Sequence, residues 1–258
     1  MSDFSPEPCL AAAQNAARIA GTFLRKNFSR AKQVDEELAH DIKLRLDKDT
    51  QAIITAELQA AFPDIAVLGE EGSTGSADAE CRWIVDPLDG TVNYFFGIPI
   101  FAVSIALERR GELVLGCVYD PMQDEMFAAV AGGAATCNGR PIHVSNRAQM
   151  AQAAVFCGHG AHDGSGEAGI RRFARISSQV RKMRILGSAA VTLCYVAAGR
   201  MDAYIEDRIS LWDFAAARVI LEAAGGKLEF TPREPDAVQG AVLAWNGLLP
   251  LQDFLSLS

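Results

Sequence analysis

The stretch Arg82-Trp83-Ile84-Val85-Asp86-Pro87-Leu88-Asp89-Gly90-Thr91 constrains this chain more than any other. Its apolar run, Trp83 to Val85, reads as a buried strand. The strand is expected to stop at Asp86, where turn-forming residues surround two acids. Pro87 fixes its own φ and lacks an N–H, and Gly90 lets the backbone bend or approach a ligand closely. Two carboxylates three apart on such a turn can face one small cation, with the Thr91 hydroxyl beside them. Hard oxygen donors suit Mg²⁺, Mn²⁺ or Ca²⁺ better than Zn²⁺. The bland alternative is an acidic surface turn, since Asp-Gly is a common turn pair.

Half of the 258 residues are hydrophobic, enough for a substantial core in one large domain or two small ones. The net charge of −8 argues against a general nucleic-acid or anionic-membrane surface. Six scattered cysteines form no CxxC pair, and four of them sit in apolar or small-residue strings that read as buried free thiols. No basic segment followed by an apolar stretch opens the chain, and no apolar run reaches a membrane span of about 20 residues. A cytoplasmic protein is expected. Helical spacing runs over residues 8–28, and Thr50 is a candidate cap for a second helix that Pro63 ends. Residues 101–107 and 113–119 flank Arg109-Arg110-Gly111-Glu112, a hairpin signal. From about residue 151 strands and helices alternate, with helices expected at 188–198 and 213–224 and a last short one after Trp245. The stretch 158–169 reads as a mobile glycine loop. By this reading alone the fold is mixed α and β with two sheets.

Further along stand Leu68-Gly69-Glu70-Glu71-Gly72 and Leu211-Trp212-Asp213-Phe214-Ala215-Ala216-Ala217, the latter running on to Leu221-Glu222-Ala223-Ala224-Gly225-Gly226. In order, these motifs and DPLDGTVN resemble the inositol monophosphatase family of Mg²⁺-dependent phosphatases, over about Asp47 to Gly226. The resemblance implies an α/β fold of the sugar phosphatase type, a layered α/β/α/β/α sandwich. It divides into an α+β half, residues 1–150, carrying GEE and DPLDGT, and an α/β half, residues 151–258, carrying the WD motif. The two halves are expected to make one catalytic unit.

Five carboxylates are candidates for one cluster: Asp47, Glu70, Asp86, Asp89 and Asp213. Each alone reads equally as a solvated loop acid or a helix-start acid. Converging acids need cations, because like charges repel. The resemblance implies that Glu70, Asp86 and the Leu88 carbonyl hold one Mg²⁺ (Mn²⁺ as alternative). Asp86 bridges to a second ion held by Asp89 and Asp213, and a third lies near Glu70. It implies that the Gly90 and Thr91 amides carry the phosphate, and that Asp47 orients the Thr91 hydroxyl towards the attacking water. On the alcohol side it places Glu206 against substrate hydroxyls, with Asp89 and the Ala189 amide beside it. Arg184 and Arg208 are alternatives that meet a second phosphate. His40, His143, His159 and His162 show no ligand spacing.

The expected function is hydrolysis of a small phosphate monoester, an inositol or similar polyol phosphate. Fructose 1,6-bisphosphate, histidinol phosphate and nucleoside 3′,5′-bisphosphate are the runners-up. A homodimer without nucleic-acid or membrane partners is implied. A non-catalytic binding protein on the same fold would be expected to have lost a ligand, and all five acids and Thr91 are present.

Overall fold

The computed structural model describes residues 5–37, 42–76, 79–158, 166–234 and 238–251. In chain order the elements are α1 (Pro6–Asn27), β1 (Val34–Glu37), β2 (Ile42–Leu44), α2 (Arg45–Ala61), β3 (Ala66–Gly69), β4 (Gly72–Thr74), β5 (Cys81–Asp89) and α3 (Thr91–Phe96). There follow β6 (Ala102–Arg109), β7 (Glu112–Asp120), β8 (Glu125–Val130), β9 (Thr136–Cys137) and β10 (Arg140–Pro141). The last are β11 (Ala154–Cys157), α4 (Gly166–Ser177), β12 (Lys182–Arg184), α5 (Ala189–Ala197), β13 (Ala203–Ser210), α6 (Leu211–Ala223), β14 (Lys227–Pro232) and β15 (Gln239–Trp245).

β3 to β10 form one mixed sheet in the order β10-β9-β8-β7-β6-β5-β3-β4, and β11 to β15 form a second, β12-β11-β13-β15-β14. Alternation along the strands sends side chains to opposite faces. From β6, Val103, Ile105 and Leu107 pack with α1 and α2 residues such as Ala17, Leu24 and Leu58. Ala102 and Ala106 turn instead to α6, and α5 shares that middle layer with Phe156, Tyr204 and Val242 of the second sheet. The outer face of the second sheet carries Val155, Ile205, Leu243 and Trp245 against Ile176 of α4. The layers are therefore helix, sheet, helix, sheet, helix. Gly116 on β7 allows the closest approach of the middle layer, because a Cβ there would collide with the Ala216 backbone of α6.

Several local expectations shift. The second helix starts at Arg45, not at Thr50, because Asp47 in its first turn reaches back to the Leu44 amide at 2.8 Å. Thr50 lies inside the helix, its hydroxyl donating to the Leu46 carbonyl at 2.7 Å. The hairpin is as expected, with Arg110 (φ 53°) and Gly111 (φ 83°) both left-handed, as a tight hairpin turn requires. α4 opens at Gly166, inside the stretch expected to be loop. His40, His159 and His162 lie outside the described residues, and 246–251 form no helix. Cys9, Cys117, Cys157 and Cys194 are buried free thiols. No described helix is long and apolar enough to cross a membrane.

Candidate active site

The strand that ends in the Asp86 motif does not stop where its turn-formers suggest. β5 runs on to Asp89, and it bulges: Asp86 pairs with Ser104 but Asp89 pairs with Ala102. Three steps on β5 oppose two on β6, so one residue is extra. The bulge decides the site. Residues three apart on a regular strand face opposite sides. With one residue inserted, Leu88 returns to the α1/α2 side beside Trp83 and Val85. Asp86 and Asp89 both line the pocket beside the middle layer. Pro87 is tolerated there because a bulge needs no ladder N–H from it.

β13, in the other sheet, bulges in the same way. Glu206 pairs with Val242, whereas Ile209 pairs with Gly240. Tyr204, Glu206, Arg208 and Ile209 consequently all reach the pocket. Between them Asp207 turns back to Arg172 of α4 in a partly buried ion pair.

The two bulged strands wall a pocket of about 360 Å³. It is lined by Glu70, Asp86, Leu88, Asp89, Gly90, Thr91, Ala189, Glu206 and Asp213, which are nine of the ten residues to which the resemblance gives a role. The first turns of α3, α5 and α6, marked by Thr91, Ala189 and Asp213, converge on it and bring the positive ends of three helices to one place. Glu70 is placed by the turn after β3, where its amide donates to the Val85 carbonyl at 3.1 Å. Gln51 of α2 clamps that turn, accepting from the Glu71 amide at 2.9 Å and donating to the Gly72 carbonyl at 2.9 Å.

The acids differ in their partners. Asp86 Oδ1 accepts from the Leu88 amide at 2.9 Å. Burial and the charges of Glu70, Asp89 and Asp213 push its carboxyl well above the usual range. Burial and the charges of Asp89 and Glu70 do the same to Asp213, which accepts from the Ser210 amide at 2.8 Å. Asp89 is pushed by burial only to about 6, because the Ser188 hydroxyl and the amides at the start of α5 hold it down. Its oxygens accept from the amides of Ala189 (3.0 Å) and Ala190 (2.9 Å) and from Ser188 Oγ. Glu206 accepts from the Tyr204 hydroxyl and is pushed by burial to about 7.

Two of the expected groups bond to the protein in the structure. The Thr91 hydroxyl donates to the Leu88 carbonyl at 3.0 Å, whereas Asp47, in the first turn of α2, accepts from the Leu44 amide and does not line the pocket. The Ala189 amide, expected to face the substrate ring, donates to Asp89. Of the two arginines, Arg208 lines the pocket, while Arg184 is exposed and donates to the Met183 carbonyl at 2.9 Å. Sequence reading gave no role to Ser188, Tyr204 or Asn93. Asn93 Nδ2 ties α3 to the segment before α5 through the Leu186 carbonyl at 2.6 Å, and it also donates to the nearby Ile100 carbonyl at 2.9 Å. Ser188 and Tyr204 lie within the span of the resemblance, about Asp47 to Gly226, and carry no separate signal there.

A pocket rich in hard oxygen donors and ringed by helix starts, on this five-layered fold, is the equipment of a phosphate-ester hydrolase. The family model for the inositol monophosphatase family matches residues 5–250. An inositol-1-monophosphatase of Mesorhizobium japonicum is 39% identical over 240 residues, covering 91% of this chain and 90% of that protein. A fructose-1,6-bisphosphatase/inositol-1-monophosphatase of Thermotoga maritima is 35% identical, covering 90% and 89%. The crystal structure of the extragenic suppressor protein suhB of Bartonella henselae superposes with a TM-score of 0.87 at 34% identity, covering 92% and 93%. The chain belongs to the inositol monophosphatase family, and it is a phosphoric monoester hydrolase.

Proposed function

We propose that this phosphatase hydrolyses an inositol or similar polyol phosphate with Mg²⁺ in the acid pocket. One observation carries the reading: four carboxylates from three separate places in the chain, Glu70 after β3, Asp86 and Asp89 on β5 and Asp213 on α6, share one pocket, and their neighbours' charges raise the proton affinity of Asp86 and Asp213. Among the described residues no three His, Cys, Asp or Glu side chains form a ready-made ligand group. The donor chemistry nonetheless fits hard divalent cations, since buried acids that repel one another are relieved by positive charge. Glu70, Asp86 and the Leu88 carbonyl would hold one ion, and Asp86, Asp89 and Asp213 a second, with a third near Glu70. Bound there, the ions supply activation of water and stabilisation of the leaving oxygen.

The remaining work falls to the chain. Gly90 sits left-handed (φ 98°), and a Cβ there would press on the Ile100 and Gly187 carbonyls. This brings the Gly90 and Thr91 amides to the pocket for the phosphate. Glu70 and the Thr91 hydroxyl position the attacking water. Asp47 holds the start of α2, and its charge adds to the burial that raises the Tyr94 hydroxyl pKa, which supports a positioning role behind α3. Glu206, fixed by Tyr204, accepts from substrate hydroxyls, and Asp89 with Ala189 closes that side.

The reading includes a homodimer in a cytoplasmic setting. Exposed Val92, Phe96 and Ile98 offer apolar surface for a second copy, and six free thiols suit a reducing compartment. Phosphate release from inositol 1-phosphate tests the function. It is expected to vanish on chelation and return with Mg²⁺, with Zn²⁺ a poor replacement. Full turnover in excess chelator would refute the metal assignment.

A further inference from the structure

Three consecutive charges on the β13 bulge go different ways. Glu206 faces the pocket and is held by the Tyr204 hydroxyl. Asp207 faces away and is neutralised by Arg172, which is 6% exposed. Arg208 returns to the pocket wall, half-buried. Asp207 is therefore spent and does not quench its neighbour. Among the described residues, Arg208 has no ion-pair or hydrogen-bond partner and is the only cationic side chain lining the pocket. The same lining includes five acids: Glu70, Asp86, Asp89, Glu206 and Asp213. A half-buried guanidinium in an acid-lined pocket has two uses, to pair with a pocket acid or to receive an anion from the ligand. Four of the five acids already accept from protein donors: Asp86 from Leu88, Asp89 from α5, Glu206 from Tyr204 and Asp213 from Ser210.

Resting on the phosphatase reading, we propose that Arg208 is a specificity-determining residue that receives a second anionic group on the alcohol part of the substrate. The preferred substrates are then anionic polyol phosphates. The hydroxyls meet Glu206, and a carboxylate or second phosphate farther along the chain meets the forked guanidinium, which accepts either in bidentate fashion. Their place on the strand supports this division. Glu206 and Arg208 line the same pocket from one strand, so one extended polyol can contact both.

Three probes separate the possibilities: glucitol 6-phosphate, which is neutral at its far end, gluconate 6-phosphate, which ends in a carboxylate, and glucitol 1,6-bisphosphate. Wild-type enzyme is expected to favour at least one anionic probe over glucitol 6-phosphate by about ten- to a hundred-fold in kcat/KM, the range for a charge-assisted hydrogen bond. Whichever anionic probe wins identifies the second group. Arg208→Gln should bring the ratio near one, chiefly through KM, and Arg208→Lys should keep part of it. Because Arg208 is half-exposed, thermal melting reports whether either variant is misfolded. A wild-type ratio near one, or a ratio unchanged in Arg208→Gln, overturns the assignment while leaving the phosphatase reading intact. No phosphate release from these probes or from 4-nitrophenyl phosphate overturns both.

Discussion

β5 and β13 occupy equivalent places in the two sheets, each with a bulge where it meets the pocket, yet they furnish opposite kinds of surface. The β5 bulge gathers like charges: the buried Asp86 and Asp89 share one pocket with Glu70 and Asp213. The β13 bulge disperses charge, with Glu206 bonded to Tyr204, Asp207 paired away and Arg208 on the pocket wall. One device, an inserted residue, thus makes either an unstable cluster that calls for a cation or a balanced wall that reads a ligand. The difference lies in the partners that the middle layer supplies.

The strongest way to break this comparison is to neutralise single acids on the β5 side. Asp213→Asn and Asp89→Asn should each lower kcat with Mg²⁺ by roughly a hundred-fold or more, as loss of several kcal/mol of charge stabilisation requires. Their metal-free melting should diverge. Asp213→Asn relieves repulsion and should raise Tm by about 2–4 °C for each kcal/mol relieved. Asp89→Asn gives up a charged cap on α5, so Tm should fall, by an amount matching the 0.5–2 kcal/mol typical of a lost helix cap. Near-normal turnover in either variant would remove that residue from the cluster.

The pH dependence follows from the same contrast. Asp89 is raised to about 6, and Asp86 and Asp213 well above the ordinary range. Between about pH 4, near the ordinary carboxylate value, and those raised values, the folded protein keeps protons that the unfolded chain has released. The contribution of these acids to metal-free stability is therefore greatest below about pH 4 and declines as pH rises through 6 and beyond. The gap in Tm between Mg²⁺-loaded and chelated protein should widen from pH 5 to pH 8. A constant gap would mean that these groups do not meet the ion.

On the β13 side the effects should be smaller. Glu206→Gln should weaken transition-state binding of a polyol phosphate by about 1–3 kcal/mol, and that of an aryl phosphate by much less. Tyr204→Phe removes the donor that lowers the Glu206 pKa, so the pH at which polyol preference appears should rise above about 7. Equal loss on both substrate types would place Glu206 in general packing.

The sequence displayed the acids but not the devices that aim them. Asp86 and Asp89 were legible as a pair, yet odd spacing on a strand would have separated them without the β5 bulge, which no residue type announces. Glu70 was visible, whereas Gln51, which clamps its turn from 20 residues away, was not. Asp47 reads as lying before a helix, but its reach to the Leu44 amide extends α2 upstream, and the Thr91 hydroxyl bonds the Leu88 carbonyl, which no local pattern announces. Local pattern carried α1, α5, α6 and the Arg110-Gly111 turn, because each depends on neighbours in sequence. Contacts across about a hundred residues, such as Asp89 with Ala190, have no local signature.

That last contact also sets an order of events during synthesis. The strands of the first sheet, and Asp89 with them, leave the ribosome before the residues of α5 and α6 exist. Until those residues emerge, Ala102, Ala106, Val118, Phe127 and Ala129 present a bare apolar face that only the later helices cover. A nascent chain stalled near residue 150 is therefore sticky, and it needs a holding chaperone or rapid elongation to stay productive.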